Sequence, residues 1–309
     1  MIRLYVAVTD NAWFRQLSAI DGIDEVNFWQ PSGRTQFRAL QPGELFLFKL
    51  HAPDSFIAGG GVFSHASIVP LSIAWDAFGL KNGVQSVTEM RKRLAHYRRE
   101  PSLVDERTDP SVGCRILTQP FFWPREKWIP VPASFSPNIV TGKGYSTDES
   151  DGRALWDAVT DRLSAAEFAP EGDPFLVRFG TPQLIRPRLG QGAFRVSVTD
   201  SYERRCAVTG ERTLPILDAA HIKSYAAGGE HVSSNGLLLR TDIHRLFDIG
   251  YVTVDQDRRF VVSRRLKEDF DNGRDYYALE GGLIRSPLDK SAIPSPEALA
   301  WHRENRFRG

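Results

Sequence analysis

The stretch from Leu217 to Gly250, LDAAHIKSYAAGGEHVSSNGLLLRTDIHRLFDIG, holds three of the seven histidines in the chain. It narrows the fold more than any other feature. A short apolar run, LDAAHI, leads into a polar loop with paired glycines and the turn signal Asn235-Gly236. The following segment has Thr241 or Asp242 as a helix start and Gly250 as a helix stop. Upstream, AVTGERTLPILDAAHI reads as two short strands joined by a loop, and QGAFRVSVTDSYERRC as a helix. Downstream, YVTVD and RFVVS read as a hairpin around QDR, and PSPEALAWHRENRF as a closing helix. The order is ribbon, loop, helix: a ββα unit with His221 on the ribbon, Asn235 in the loop and His244 on the helix.

Strand residues alternate faces, so Asp218 and Ala220 are expected on one side and Ala219 and His221 on the other. His244 and Asp248 are four apart on a helix and share a face. These residue types suit phosphodiester hydrolysis. An imidazole takes a proton from water, a divalent cation neutralises charge on the phosphate and the departing oxygen, and a third residue holds the loop in register. Taken singly, the same residues have plainer readings. His221 alone would be a satisfied, partly buried histidine, Asp218 a hydrogen-bond partner of the loop, and Asp248 a pin for the helix. His231 is expected in an exposed loop and not as a ligand. Arg240 and Arg245 either contact phosphate or lie on the helix surface. Cys206 reads as a small buried residue, not a nucleophile.

CAVTG through LDAAHI and SNGLLLRTDIHRLFDIGYVTVD resembles the HNH endonucleases of the ββα-metal superfamily over roughly Val196–Ser263. The resemblance implies His221 as the general base, Asn235 as the loop clamp and His244 as a ligand of a divalent metal, Mg²⁺ or Mn²⁺. Many members carry a metal ligand immediately before the base. That position here is Ala220. Asp218, one pleat back at about 6–7 Å along the strand, is the first candidate replacement, and Asp248 the second.

The front of the chain, to about Tyr145, reads as β-rich. The N-terminal MIRLYVAVTDNAWF, where Ile2, Leu4 and Val6 alternate with Arg3 and Tyr5, and the run ELFLFKL after the turn signal QPG are strand candidates, as is GCRILTQPFFWP. SFIAGGGVFS reads as two strand halves around a triple glycine, which suggests a bulge, a bend, or close approach of a ligand. A helix is expected from Ser86 to Arg99. Its basic cluster MRKRLAHYRRE, like RRFVVSRRLK later, either tracks phosphates or forms a solvated face. VNFWQPSG and FRALQPGELFLFKLHAPDSFIAGGGVF resemble the EVE branch of the PUA-like fold, whose members include readers of flipped, modified bases. That resemblance implies a base pocket, with Trp29, Gln30, Ser32 and Gly60 as its candidates, in which aromatic stacking is worth about 1–3 kcal/mol per base. Phe28 and Trp29 would otherwise simply pack the barrel.

The expected architecture is therefore α+β: a PUA-like, barrel-type domain with helices over 1–145, a connector helix and proline- and glycine-rich linker over 146–189, and the ββα-metal domain with a C-terminal helix over 190–309. Composition sets outer bounds. The chain is 41% hydrophobic and 25% charged, values of a globular protein. It has no apolar run of membrane-spanning length and no signal-peptide pattern at its start, so no membrane partner is expected. Two distant cysteines exclude a four-cysteine zinc site and, with the missing leader, suggest the cytoplasm. A net charge of +1 does not announce a nucleic-acid binder.

The expected function is a modification-dependent, type IV-like restriction endonuclease. Its partner would be double-stranded DNA carrying 5-methyl- or 5-hydroxymethylcytosine. One centre cuts one strand, so a double-strand break calls for a homodimer or two encounters. The alternatives are an HNH nuclease without modified-base dependence, and a binding module with an inactive nuclease centre.

Overall fold

The computed structural model describes residues 1–164 and 189–309, which fall into two units, Met1–Arg188 and Leu189–Gly309. The proline- and glycine-rich linker expected before residue 190 lies outside the described residues up to 188.

The first unit contains β1 (Arg3–Thr9), α1 (Asn11–Ser18), β2 (Glu25–Asn27), β3 (Leu45–Leu50), β4 (Phe56–Pro70), α2 (Leu71–Phe78), α3 (Val87–Arg98), β5 (Ser111–Phe122), β6 (Ile129–Pro130), β7 (Gly142–Ser146) and α4 (Ser150–Ser164). Its sheet runs β2-β5-β4-β3-β1-β7, with β6 added to β4. β1 and β3 are parallel; the other pairs are antiparallel. Among the described residues no pairing joins β2 to β7, so the closed barrel expected from the sequence is not found.

The sheet is covered on both faces, which explains why β1 and β3 are apolar without alternation. Leu4, Val6, Leu45 and Leu47 face one core, with Leu155, Trp156, Val159 and Leu163 of α4. Tyr5, Ala7, Phe46 and Phe48 face the other, with Trp13, Phe14 and Leu17 of α1. Each such side chain contributes about 1.5–3 kcal/mol on full burial. α4 thus belongs to the first unit's core and is no free connector. β7 extends the sheet along the open edge that Arg3–Ala7 offers.

The triple glycine is not a break between strands. β4 runs unbroken through it, with register shifts against its neighbours. A Cβ at Gly59 would meet the Phe121 carbonyl oxygen at 2.3 Å, and one at Gly60 the Phe46 carbonyl oxygen at 2.6 Å. Neighbouring strands, not a ligand, require these glycines.

The second unit contains α5 (Gln191–Ser201), β8 (Leu217–His221), β9 (Gly236–Arg240), α6 (Thr241–Asp248), β10 (Val252–Val254), β11 (Phe260–Val262), α7 (Arg265–Phe270), α8 (Arg274–Tyr277) and α9 (Pro296–Asn305). The ribbon differs from expectation. Residues 207–209 form a turn and 210–213 belong to no strand, and the partner of β8 is β9, with His221 opposite Gly236 and Leu217 opposite Arg240. Leu237, Leu238 and Leu239 are all buried, and such a run is favoured in a strand covered on both sides. Asn235-Gly236 is consequently no two-residue hairpin turn: Asn235 closes a short 3₁₀ turn and Gly236 opens β9. α9 is fastened by the buried His302, whose Nδ1 lies 2.8 Å from the Thr253 hydroxyl and whose Nε2 lies 3.0 Å from the Phe247 carbonyl.

Candidate active site

A cleft of about 420 Å³ opens where α5, β8 and α6 meet, lined by Phe194, Arg195, Asp218, His221, His244 and Asp248 among others. α5 contributes through spacing: Gln191, Phe194 and Arg195 stand at i, i+3 and i+4, share a face, and all line the cleft. Gly236 lets this helix come close, since a Cβ there would press on Phe194 at 3.0 Å and Val198 at 2.5 Å. Phe194 in turn lies flat on His221, ring centroids 3.8 Å apart and planes 11° off parallel.

His221 therefore has one face sealed. Burial, with smaller contributions from nearby His231 and His244, pushes its pKa down to about 4. It is neutral at pH 7, as a proton acceptor must be. Its Nε2 stands 2.9 Å from Nδ1 of His231. His231 is itself stacked under Tyr225, at 4.7 Å and 17°. His231, expected in an exposed loop, is half-buried and touches the candidate base.

Asn235 is 5% exposed and pins that loop. Its Oδ1 accepts from the Lys223 N–H, and its Nδ2 donates to the carbonyls of Lys223 and Glu230, all at 2.9 Å. Gly229 allows the crossing, because a Cβ there would meet the Lys223 carbonyl oxygen at 1.9 Å.

His244 has a carboxylate at each nitrogen: Asp218 Oδ2 is 3.5 Å from Nδ1 and Asp248 Oδ2 is 3.4 Å from Nε2. The hydrogen bond from His244, opposed by burial, then the charges of His244 and Arg195, hold the Asp218 carboxyl below its ordinary pKa. Ala220 is fully buried in the core, whereas Asp218, Ala219 and His221 all line the cleft. β8 pairs with β9 in unbroken register and is entered from the 3₁₀ turn Leu214–Ile216.

Among the described residues no group of three or more His, Cys, Asp or Glu side chains is arranged to hold a metal ion. Asp218 Oδ2 and His244 Nδ1 face each other at 3.5 Å. Two ligands each about 2.1 Å from Mg²⁺ stand about 3 Å apart, and such an ion keeps several waters and takes substrate phosphate oxygens. The gap between Asp218 and His244 Nδ1, at 3.5 Å, is wider than that separation.

The two arginines singled out in the sequence are not at the cleft. Arg240 is held by Asp242 through two contacts of 2.7 Å, and Arg245 is exposed on the helix. The cleft's arginine is Arg195, which the sequence reading missed; its only signal was a helical position beside Phe194. Cys206 is buried and accepts from the Arg240 N–H at 3.3 Å.

In the first unit, a cavity of about 250 Å³ is lined by Asp10, Trp13, Trp29, Gln30, His51 and Tyr97, among others. Trp29 donates its Nε1–H to the Asn82 carbonyl at 2.9 Å, and Gln30 Oε1 accepts from Arg115 at 2.5 Å. Burial alone would raise the Asp10 carboxyl. Hydrogen bonds from the Trp13 N–H, the Tyr97 hydroxyl and the Ala12 N–H hold it below its ordinary value instead. Ser32 lines a separate groove with Arg34 and Arg98, and Gly60 lies inside the sheet; neither joins Trp29 and Gln30. The basic cluster on α3 is largely engaged: Arg91 donates to the Thr108 carbonyl, Arg93 pairs with Glu89, and Arg98 donates to the Pro31 carbonyl.

A family model described as HNH endonuclease matches residues 206–255, so an HNH endonuclease domain occupies this part of the second unit. No curated protein matches the chain. Among solved structures, a mutant ZmASCH protein from Zymomonas mobilis is similar at 12% identity and a TM-score of 0.34, covering 50% of this chain and 96% of that one. The modification-dependent restriction endonuclease TagI is similar at 14% identity and a TM-score of 0.28, covering 98% of this chain and 81% of that one. At these scores neither likeness bears on the activity. Among the described residues no helix is long and apolar enough to cross a membrane.

Proposed function

We propose that this chain is a modification-dependent DNA endonuclease of the type IV-like restriction class. The observation that carries the nuclease reading is one cleft in the HNH domain lined by His221, Asp218, His244 and Arg195. His221, neutral and held flat by Phe194, takes the proton of the attacking water. Asp218 and His244 Nδ1 are the residues that would hold the divalent ion, Mg²⁺ or Mn²⁺, which supplies charge neutralisation at the phosphate and the leaving oxygen. Asp248, at the other nitrogen, orients the His244 ring, as outer carboxylates do for ligating histidines. Asn235 keeps the loop between β8 and β9 closed. Arg195 offers a guanidinium to the phosphate.

The front unit is read as an EVE/PUA-like reader. Its cavity with Trp29 and Gln30 would receive a cytosine turned out of the duplex, since a modified base cannot be inspected fully inside the stack. Support for this half is the aromatic wall, the carboxylate of Asp10, and a volume that admits one base.

The test is digestion of one plasmid prepared with cytosine, 5-methylcytosine or 5-hydroxymethylcytosine, in Mg²⁺ and in Mn²⁺. Cleavage confined to a modified plasmid is expected. Equal cleavage of all three would assign an HNH nuclease without base reading. Binding with no cleavage in either metal would assign an inactive centre.

A further inference from the structure

We propose that His231 is the positioning residue of the general base: by accepting the Nε2–H of His221 on its own Nδ1, it keeps His221 Nδ1 unprotonated. The inference rests on the reading of His221 as the base.

The two nitrogens are 2.9 Å apart, so one proton lies between them. There are two ways to place it in a neutral pair. If His231 donates, His221 carries its proton on Nδ1 and its Nε2 lone pair is consumed, which leaves no acceptor for water. If His221 donates, its Nδ1 lone pair is available. The choice of tautomer is thus the choice between a base and a bystander.

The surroundings are built to hold the pair. Phe194 covers His221 at 3.8 Å and Tyr225 covers His231 at 4.7 Å, both nearly parallel. The two imidazoles meet at 67° with ring centroids 4.9 Å apart. The loop carrying His231 is fixed one residue earlier, where the Glu230 carbonyl accepts from Asn235. When His221 takes a proton on Nδ1, the O–H bond of water breaks and an N–H bond forms. The resulting imidazolium then donates its Nε2–H to Nδ1 of His231, already in place at 2.9 Å. Other charged or titratable groups around the pair are Arg195 from α5, Asp218 from β8, His244 and Asp248 from α6, and Tyr225 and Glu230 from the loop.

Two measurements test this. The first needs no activity: ¹⁵N spectra of the histidine rings in the full chain at pH 7, with His221 assigned by its loss in His221→Ala. The Nε2–H tautomer is expected for His221 in the parent, with that preference weakened in His231→Leu. Finding the Nδ1–H tautomer in the parent overturns the inference.

The second is plasmid nicking by His231→Leu and His231→Asn, the latter placing an amide oxygen where Nδ1 stood. His231→Leu is expected to lower kcat about 10–100-fold with KM unchanged, the loss typical of an outer orienting group. It should also shift the acid limb of the pH–rate profile. His231→Asn should recover most of the rate. Equal impairment of the two variants would mean a purely structural role, and full activity in His231→Leu would mean none; either overturns the inference. Full activity in His221→Ala would instead overturn the base reading beneath it.

Discussion

Replacing Asn235 gives the sharpest physical test of how the site is held together. The side chain makes three hydrogen bonds of 2.9 Å while almost fully buried. A hydrogen bond nets about 1 kcal/mol, and a buried group left unpaired costs about 1–3 kcal/mol. Asn235→Ala removes three partners at once, so a loss of about 3–4 kcal/mol is expected. For a domain of this size each kcal/mol moves the melting temperature by about 4 °C, which makes the shift roughly 12–16 °C. Asn235→Asp is the decisive companion. It keeps the shape and still accepts from the Lys223 N–H, but it sets a carboxylate oxygen against the carbonyls of Lys223 and Glu230. Those contacts raise the new carboxyl's pKa in the folded state. Its stability is therefore retained at low pH and lost as pH rises through that raised value. Calorimetry from pH 4 to 8 reads both variants, and hydrogen exchange over 222–235 locates the damage. Melting of Asn235→Ala within about 2 °C of the parent would refute the reasoning, as would parent-like stability of Asn235→Asp at pH 8.

Three further outcomes are expected. Burial pushes both His302 and His221 down to about 4, with the Phe247 carbonyl opposing that push at His302 and the neighbouring histidines adding to it at His221. Their folded values lie below the unfolded one, so stability is full above about pH 6.5 and is lost as pH falls toward 4, by about 3 kcal/mol for His302; an unchanged urea midpoint between pH 7 and 4.5 would contradict this. Arg195→Ala should lower kcat/KM for plasmid nicking about 10–100-fold, as expected for losing a charge-assisted phosphate contact, while Arg245→Ala stays within about twofold; the reverse order would place the phosphate elsewhere. Trp29→Ala should weaken binding of DNA carrying modified cytosine by about 1–3 kcal/mol, read by fluorescence anisotropy, and parent-like affinity would remove Trp29 from the pocket.

Much of the second unit was legible because its chemistry is local. His221, Asn235 and His244 lie within a single window, and strand, loop and helix follow one another along the chain. What escaped notice was brought in by tertiary approach. Phe194 and Arg195 lie well upstream and reach the cleft because Gly236 admits α5. His231 reads as polar loop because only the fold shows Tyr225 and Phe194 stacked about the histidine pair. β9 was hidden by its own composition: GLLLR after Asn-Gly looks like the exit of a turn, whereas the leucines are buried on both sides. The same ambiguity acted in the first unit. Glycines 59–61 signal close approach, and the approach is real, but the visitor is the backbone of neighbouring strands. Ser32 and Gly60 are near Trp29 and Gln30 in expectation only, since sequence proximity and strand order do not fix which cavity a residue lines.

The central claim is that His221 serves a metal-dependent phosphodiester hydrolysis in the cleft of the HNH domain. Nicking of a supercoiled 5-methylcytosine plasmid by the parent and by His221→Ala, in Mg²⁺ and after chelation, addresses it most directly. Open circles from the parent in Mg²⁺ alone, with the variant slower by orders of magnitude yet still bound to the plasmid, are the predicted result. Equal nicking by the variant, or undiminished nicking with the metal removed, would contradict it.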